Sequence, residues 1–310
     1  MKILLTGGCK SGKSRLAQHL AARLSRGRQL YYLATMVPQD EEDWERIRRH
    51  VAERAGLCFR TIECGEDFAA GWRQLPHDAV FLLDSLTALL AHAMFPPGGK
   101  PLADAGAALS EELALLSDSV ADGVFVSDGI FCDSGAYDAL TEGYRSALAA
   151  LEQAVASRCD GVAELCAGIP VVHAGAAAMR PLLPPQKEHA MDFYLLIGGA
   201  GQGKTSYAKK RFRLEDADIS CCSRNAPPDF SRRCIVHLEN YVSYCLAHGM
   251  EPDSAFPPGT VLVCDDIFCG IVPVDAFERA WRERTGRFLQ ELAARAHVTR
   301  IFCGIGEDLQ

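Results

Sequence analysis

The sequence lacks three features that would each indicate a particular class of protein. It has no excess of positive charge, because 32 lysines and arginines stand against 40 aspartates and glutamates, for a net charge of -8. This balance argues against a general affinity for the phosphate backbone of nucleic acid. No apolar run approaches the roughly 18 residues of a membrane-spanning helix, and no C-x-x-C pair that would indicate a zinc site occurs among the 13 cysteines. We therefore expect neither a nucleic-acid partner nor a membrane span.

The start of the chain and its composition indicate an ordinary globular protein. The first residues, "MKILLTGG", show no cleavable apolar leader, so we predict a cytoplasmic chain whose cysteines stay reduced and serve mostly as small apolar side chains. Hydrophobic residues make up 48% of the 310 residues and charged residues 23%. This length and composition favour two domains of about 150 residues, each with its own core.

Two stretches of the chain fit the phosphate-loop pattern G-x-x-x-x-G-K-[ST]: "GGCKSGKS" at residues 7–14 and "GGAGQGKT" at residues 198–205. Each follows a short apolar run and precedes a helical pattern, as such loops do. Backbone N–H groups then surround phosphate oxygens, the lysine reaches the β and γ phosphates, and the hydroxyl residue can ligate Mg²⁺. The predicted phosphate-binding residues are Gly7, Gly8, Cys9, Lys10, Ser11, Gly12, Lys13 and Ser14, and in the second loop Gly198, Gly199, Gly203, Lys204 and Thr205. Ser14 and Thr205 are the predicted metal ligands among them.

Further repeated stretches indicate that the chain contains one pattern twice. "SDGIFC" at 127–132 matches "CDDIFC" at 264–269, an offset of 137 residues, whereas the phosphate loops are 191 residues apart. The second copy thus lacks 54 residues between its loop and this stretch. Alternating strands and helices predict an α/β fold of two P-loop NTPase (RecA-like) domains, each a mostly parallel sheet flanked by helices. We predict domains at 1–170 and 192–310, joined by a proline-rich and charged linker at 171–191.

Two features between the first loop and residue 87 carry possible chemistry. The apolar strand "VFLLD" ends at Asp84, a position that can place a carboxylate beside Mg²⁺. Acids at 40–43 open a helix with Trp44, Ile47 and Val51 on its predicted buried face. His50 lies on this helix among arginines that would suit a polyphosphate. By the pattern alone, His50 is more often a solvated surface residue than a nucleophile.

The order and spacing of these motifs resemble the bifunctional adenosylcobinamide kinase / adenosylcobinamide-phosphate guanylyltransferase family of cobalamin biosynthesis. The residues that carry the resemblance are Thr6–Ser14, Tyr32–Thr35, Asp40, Glu42, Arg46, Ile47, His50, Thr61, Glu63 and Leu82–Thr87. The resemblance covers most of residues 1–170. It implies that His50 attacks the α-phosphorus of GTP and carries GMP to a corrinoid phosphate, a role suited to a neutral imidazole.

The resemblance also implies substrates and further site residues. GTP and ATP would be the nucleotides, adenosylcobinamide and its phosphate the corrinoid substrates, and Mg²⁺ the metal. Lys13, with Mg²⁺ held by Ser14 and Asp84, would neutralise charge in the kinase step. The remaining residues that the resemblance assigns to nucleotide binding are Ala34, Thr35, Arg54 and Glu63.

Each copy departs from the family in a different place. The family's "NEVGxGIVP" stretch and the helix after it are degraded in the first copy, where Gly129 replaces the glutamate. The second copy keeps Asp266, "GIVP" at 270–273 and, on its last helix, Arg282, Gly286, Arg287 and Gln290. It has lost the His50 helix and the counterparts of Ala34 and Thr35. His237 stands where we expect the strand-end acid, and its position in an apparently buried strand favours a structural role.

The two copies therefore complement each other, and the sequence leaves several hypotheses open. One is an intramolecular pseudo-oligomer in which the second copy completes the site beside His50; a homo-oligomer is the other arrangement. Family members form oligomers with sites near subunit boundaries, so the resemblance favours either. An alternative function is a nucleotide-binding regulatory or assembly protein with degenerate catalytic sites. A third hypothesis is a P-loop kinase of another small molecule.

Overall fold

Two β-sheets organise the chain, one in each half. The computed structural model describes residues 1–133, 135–184 and 192–309; we refer to residues 1–184 as the first half and 192–309 as the second half. The strands of the first half are β1 (Lys2–Gly7), β2 (Leu30–Ala34), β3 (Phe59–Glu63), β4 (Val80–Asp84), β5 (Asp122–Val126), β6 (Gly161–Cys166) and β7 (Ile169–Ala174). Those of the second half are β8 (Phe193–Gly198), β9 (Ile219–Cys221), β10 (Cys234–Val236), β11 (Val261–Asp265), β12 (Ala296–Phe302) and β13 (Ile305–Asp308).

Helices connect the strands and cover both faces of the sheets. In the first half they are α1 (Lys13–Ser25), α2 (Glu41–Glu53), α3 (Phe68–Trp72), α4 (Leu86–Met94), α5 (Ala105–Ser119), α6 (Ala139–Ala156) and α7 (Ala176–Met179). In the second half they are α8 (Lys204–Phe212), α9 (Leu238–Ala247) and α10 (Ala276–Ala293), with one 3-10 turn at Asp216–Asp218. Within the described ranges, no helix combines the length and apolar composition that a membrane crossing requires.

Apart from the edge strand β3, which has no counterpart in the second half, the two sheets have the same strand order. The first runs β3-β2-β4-β5-β1-β6-β7, and the second, read from its opposite end, runs β9-β10-β11-β8-β12-β13. In each sheet the pairings are parallel except for the terminal hairpin, β6 with β7 and β12 with β13. Apolar side chains pack on both faces of each sheet. The predicted α/β fold with two mostly parallel sheets is confirmed.

Strand register identifies equivalent residues in the two halves. Asp84 lies opposite Val126, and Val236 lies opposite Val263. Val126 and Val263 each precede the aspartate of a D-x-I-F-C stretch by two residues. Val236 therefore occupies the position of Asp84, and His237 occupies the next one. The prediction that His237 replaces the strand-end acid is wrong by one residue.

The environment of His237 also differs from the one predicted for it. It follows β10 and is the N-cap residue of α9, as Ser85 is of α4. Its side chain is 44% exposed, and its φ of 59° lies in the left-handed region. The buried-strand interpretation failed because the strand ends one residue earlier than the apolar pattern indicated.

The second half keeps one strand that the sequence comparison missed. Ala34 of β2 pairs with Asp84, and Cys221 of β9 pairs with Val236. Cys221 is therefore the backbone equivalent of Ala34, although the residue type differs. In the described second half, α2, β3 and α3 have no counterpart between β9 and β10, and α5 has none between α9 and β11.

Part of the predicted linker at 171–191 is regular structure instead. Strand β7 continues to Ala174 and pairs with β6, and α7 follows at once. Met179 of α7 is fully buried in the core of the first half. Proline and charge content misled the prediction because few apolar side chains anchor this segment, with Met179 buried and Val172, Leu182 and Leu183 partly buried against the same core. Residues 185–191 lie outside the described residues.

The two halves pack directly on each other. Ala167 and Ile169 of the first half belong to the same apolar cluster as the core of the second half. An ion pair joins Arg300 Nη1 to Glu164 Oε2 at 2.7 Å across the boundary. These contacts bring the last helix of the second half, α10, beside the phosphate loop of the first.

Candidate active site

The first phosphate loop connects β1 to α1 as the sequence predicts. Gly12, with φ of 93°, is the N-cap residue of α1, so the positive end of the helix faces the loop. Lys13 is buried, and its Nζ donates to the carbonyl oxygen of Gly8 at 3.1 Å. The side chain thus folds back along the loop, where it can reach a bound phosphate.

Asp128 is the carboxylate that pairs with this lysine. Its Oδ1 lies 2.6 Å from Lys13 Nζ. Burial alone would lower the pKa of Lys13, but the charge and hydrogen bond of Asp128 outweigh it, and the pKa is raised. Burial likewise acts to raise the pKa of Asp128, yet Lys13 holds it below its ordinary value. The sequence analysis missed Asp128, although the repeated D-x-I-F-C stretch was the signal that could have identified it.

The second loop repeats this arrangement. Lys204 is buried, donates to the carbonyl oxygen of Gly199 at 2.6 Å, and pairs with Asp265 Oδ1 at 2.7 Å. Asp265 is the equivalent of Asp128 in the D-x-I-F-C stretch. The second loop therefore does have an acid at the end of a strand. It is Asp265, whereas the sequence had led us to expect it at residue 237.

A cavity of about 520 Å³ opens over the first phosphate loop and is lined by both halves. Its lining includes, from the first half, Lys13, Ser14, His50, Asp84 and Asp128, and from the second half, Pro273, Arg279, Arg282, Glu283, Arg287 and Gln290. Eight lysines and arginines but four acids stand among the described lining residues. This charge balance suits a polyphosphate ligand.

His50 lies in the last turn of α2 and faces this cavity. Asp40 caps the start of that helix by accepting from the N–H of Asp43, as the acids at 40–43 predict. Nδ1 of His50 is buried without a hydrogen-bond partner among the described residues, and Glu53 Oε2 is 3.9 Å away. Burial lowers the pKa of His50 below its ordinary value of 6.5, against the opposing charges of Asp84 and Glu53. The imidazole is accordingly neutral at pH 7.

The helix that carries His50 is not anchored by an apolar face. Trp44 and Val51, predicted to be buried, are each 48% exposed, and no residue of α2 is fully buried. The amphipathic pattern is present, but Trp44 and Val51 on its apolar face are half-exposed rather than packed in a core. Ion pairs with the second half hold the helix instead.

Asp84 occupies the predicted position at the end of β4 and lines the cavity with Ser14. Its Oδ2 accepts from the hydroxyl of Tyr32 at 3.3 Å. A serine hydroxyl and one carboxylate beside a phosphate loop form a donor set that Mg²⁺ accepts, since Mg²⁺ usually completes its shell with water and substrate phosphates. Ser14 and Asp84 therefore fit the metal that the resemblance implies.

The second half covers the first loop at close range. Cys9 N donates to the carbonyl oxygen of Phe268 at 3.1 Å, and Gln290 Nε2 donates to that of Lys10 at 2.5 Å. Gly286 permits this approach, because a Cβ there would lie 2.7 Å from the Cys9 carbonyl oxygen. The sequence had singled out Gly286 and Gln290 only as retained family positions.

Ion pairs connect α10 to the His50 helix. Arg279 Nη2 lies 2.9 Å from Glu42 Oε2. Glu283 lies 3.6 Å from Lys10 Nζ and 3.8 Å from Arg49 Nη1. These contacts join the phosphate loop, α2 and α10 around one cavity.

Several residues predicted to bind nucleotide lie away from this cavity. Thr35 is fully buried and bonds with the backbone of Ser85. Arg54 stacks over the Tyr32 ring at 4.0 Å. Ala34 and Glu63, at the ends of β2 and β3, are likewise absent from the described lining, as are the second-loop residues Gly198, Gly199, Gly203, Lys204 and Thr205.

Comparison with known proteins gives the relationship of the first half. A family model described as cobinamide kinase / cobinamide phosphate guanyltransferase matches residues 3–173. The chain is 33% identical over 172 residues to the bifunctional adenosylcobalamin biosynthesis protein CobP of Pseudomonas aeruginosa, covering 55% of this chain and 96% of that protein. It is 36% identical over 109 residues to the CobU protein of Salmonella typhimurium, which bears the same description, covering 32% of this chain and 54% of that protein.

Among solved structures, a KaiC-like protein of the archaeon Pyrococcus horikoshii aligns over 53% of this chain and 71% of its own. Its identity of 12% and TM-score of 0.31 are too low to support an argument. The family match, in contrast, includes the first phosphate loop, His50, Asp84 and Asp128. The chain belongs to the cobinamide kinase / cobinamide phosphate guanyltransferase family.

Proposed function

We propose that the chain transfers GMP from GTP to adenosylcobinamide phosphate through a GMP–His50 intermediate, and that it also phosphorylates adenosylcobinamide. The observation that carries the proposal is that a neutral, partly buried imidazole shares one cationic cavity with a phosphate loop. Neither the loop nor the histidine alone would favour this chemistry. Together they offer a phosphate site and a nucleophile within the same enclosed space.

The guanylyl transfer consists of two displacements at phosphorus. A nitrogen of His50 attacks the α-phosphorus of GTP, the bond to the bridging oxygen breaks, and pyrophosphate leaves as the imidazole loses its proton. A phosphate oxygen of the corrinoid then attacks the same phosphorus, and the P–N bond breaks. Arginines 46, 49, 282 and 287 line the cavity and would balance the charge of the triphosphate.

The kinase step uses the phosphate loop. Lys13, oriented by Asp128, would neutralise charge on the transferred phosphoryl group of ATP or GTP. Ser14 and Asp84 would hold Mg²⁺, which would supply positive charge to offset that of the phosphates. The protein's own contribution is to orient the corrinoid hydroxyl and exclude water from the cavity.

We propose further that the chain is a tandem of one fuller and one shortened domain, about 1–184 and 192–309. The shared strand order and the repeated lysine–aspartate pair support this division. In this arrangement, an intramolecular pseudo-oligomer, the second domain supplies Arg282, Arg287 and Gln290 to the active site of the first. Its own loop, Gly198 to Thr205, would bind a nucleotide or phosphate without guanylyl transfer, because no His50 equivalent occurs in the described second half.

Labelling with GTP that carries radioactive phosphorus at the α position tests the proposal. We expect a protein-bound label that is labile in acid and stable in alkali, as a phosphoramidate is, and that is discharged by adenosylcobinamide phosphate. His50→Ala should abolish the label. His77→Ala, at an exposed histidine of the same half, should leave it unchanged and serves as the matched control.

The same labelling experiment distinguishes the roles of the two phosphate loops. It also tests the alternative function. Lys13→Ala should reduce labelling at least tenfold, whereas Lys204→Ala should leave it nearly intact. Nucleotide binding without any label would favour a regulatory or assembly protein instead. Label that persists in His50→Ala would overturn the assignment of the nucleophile.

A further inference from the structure

A cluster of three potential metal ligands lies beside the second phosphate loop. His237 Nδ1 is 3.1 Å from Glu239 Oε1 and 3.9 Å from Asp265 Oδ2. One ligand atom from each residue lies within 4.8 Å of the other two. The cluster is outside the cavity described above, and the proposed guanylyl transfer makes no use of it.

Fixed partners orient both carboxylates of this cluster. The Oε2 of Glu239 accepts from the backbone N–H of Asp265 at 2.9 Å. Lys204 Nζ pairs with Oδ1 of Asp265 at 2.7 Å. In each carboxylate one oxygen is therefore held, while the other faces His237. Outer contacts of this kind orient metal ligands in known sites.

The cluster is specific to the second half. By strand register, Ser85 is the equivalent of His237, and Thr87 is the equivalent of Glu239. Thr87 Oγ1 accepts a hydrogen bond from the backbone N–H of Asp128. Glu239 accepts the matching bond from the N–H of Asp265. The longer glutamate makes the same hydrogen bond with one carboxylate oxygen, and its second oxygen is available as a ligand. Histidine in place of serine adds a potential nitrogen ligand beside this free oxygen.

The charges in the cluster favour a further cation. Glu239 is 3% exposed, and the side chain of Asp265 is 18% exposed. Within the described structure, the cations paired with these two carboxylates are Lys204 and, when protonated, His237. Buried carboxylates need a compensating partner. A divalent ion would supply that charge and would bind a neutral imidazole.

We propose that His237, Glu239 and Asp265 bind one divalent transition-metal ion, such as Zn²⁺, Mn²⁺ or Co²⁺, next to the second phosphate loop. One imidazole nitrogen and two carboxylate oxygens are a donor set for such ions, whereas Ca²⁺ and Mg²⁺ prefer oxygen alone. His237 is half-exposed, so positions remain open for water or for a phosphate oxygen. The site does not depend on the function proposed for His50.

Cobalt binding to the full chain tests this site. Protein freed of metal with a chelator is titrated with Co²⁺, and bound metal is measured by equilibrium dialysis together with the visible absorption of the ion. His237→Asn removes the nitrogen ligand yet suits a left-handed backbone. Glu239→Gln keeps an acceptor for the Asp265 N–H. His173→Asn is the matched control, because His173 pairs with Glu164 at 3.2 Å without belonging to the cluster.

We expect the wild type and His173→Asn to bind one Co²⁺ more than His237→Asn does. Glu239→Gln should weaken that site at least tenfold, and the melting temperature of each variant without metal reports whether it folds. The thermal shift that Co²⁺ produces should be smaller in His237→Asn. Equal binding by wild type and His237→Asn, or an equal loss in His173→Asn, would overturn the proposal and leave His237 as a simple ion-pair partner of Glu239.

Discussion

At the scale of single residues, a lysine paired with a strand-end aspartate recurs in both halves. Lys13 pairs with Asp128 and Lys204 with Asp265. A buried ammonium needs such a partner when no phosphate is bound. When a nucleotide binds, the lysine can turn from the carboxylate to the phosphates. In the absence of nucleotide, the pair therefore leaves no uncompensated charge on the buried lysine of either loop.

The protonation state of His50 leads to a pH prediction. Burial lowers its pKa, and Glu53 acts to raise it, so removing the Glu53 charge should lower the pKa further. Because the proposed nucleophile is the neutral imidazole, the rate of His50 labelling should fall as the pH drops through this pKa. We expect Glu53→Gln to move that acid limb to lower pH. A limb that moves to higher pH would contradict this account.

A buried carboxyl beside the site gives a stability prediction. Glu152 on α6 has its pKa raised by burial to about 7 from an ordinary 4.5, and its Oε1 has no hydrogen-bond partner among the described residues. The folded chain thus binds this proton more tightly than the unfolded chain, and stability is lost as the pH rises from 4.5 through 7. Glu152→Gln should raise the free energy of unfolding at pH 8 by on the order of 3 kcal/mol relative to its effect at pH 4.

Urea unfolding of the wild type and Glu152→Gln at both pH values measures this difference. Glu142→Gln is the control, because Glu142 lies on the same helix with a half-exposed side chain paired to Arg145. An identical effect of Glu152→Gln at pH 4 and pH 8 would show that the carboxyl is ordinarily ionised.

At the scale of elements, two helices from opposite halves form the cavity wall. Helix α2 buries no residue fully, so its position depends on contacts with α10 more than on a core. The pair between Arg279 and Glu42 is the shortest ionic link between them, at 2.9 Å. An exposed pair of this kind contributes little to folding, yet it can align the helix that carries His50.

Charge exchange tests that alignment. We expect Arg279→Glu or Glu42→Arg alone to lower the rate of His50 labelling several-fold with little change in melting temperature, because like charges then separate the helices. The double variant should restore a large part of the rate. Arg158→Glu, at an exposed arginine outside the cavity lining that pairs with Asp118, controls for net charge. Failure of the double variant to recover would argue against a positioning role for the pair.

For the whole molecule, the proposed pseudo-oligomer gives the second half the place of a neighbouring subunit. Segment 268–273 and α10 cover the first loop, while the second loop remains outside that cavity. Each half therefore has a different part of the site.

Separation of the halves tests this division. Residues 1–190 alone should fold, as circular dichroism would report, but label His50 at least tenfold more slowly than the full chain. Addition of residues 192–310 in excess should restore part of the rate. Full guanylyl transfer by residues 1–190 alone would contradict the pseudo-oligomer.

Short stretches of the sequence encode the local elements. The glycine pattern and its flanking strand and helix define both phosphate loops, acids and spacing define α2, and the repeated D-x-I-F-C stretch reveals the two similar halves. These features are local, so a few adjacent residues suffice to encode them. Tertiary structure decided which distant residues meet. Asp128 reaches Lys13, Gln290 reaches the Lys10 carbonyl, and Val236 rather than His237 matches Asp84, because strand register and the packing of α10 depend on contacts far apart in the chain.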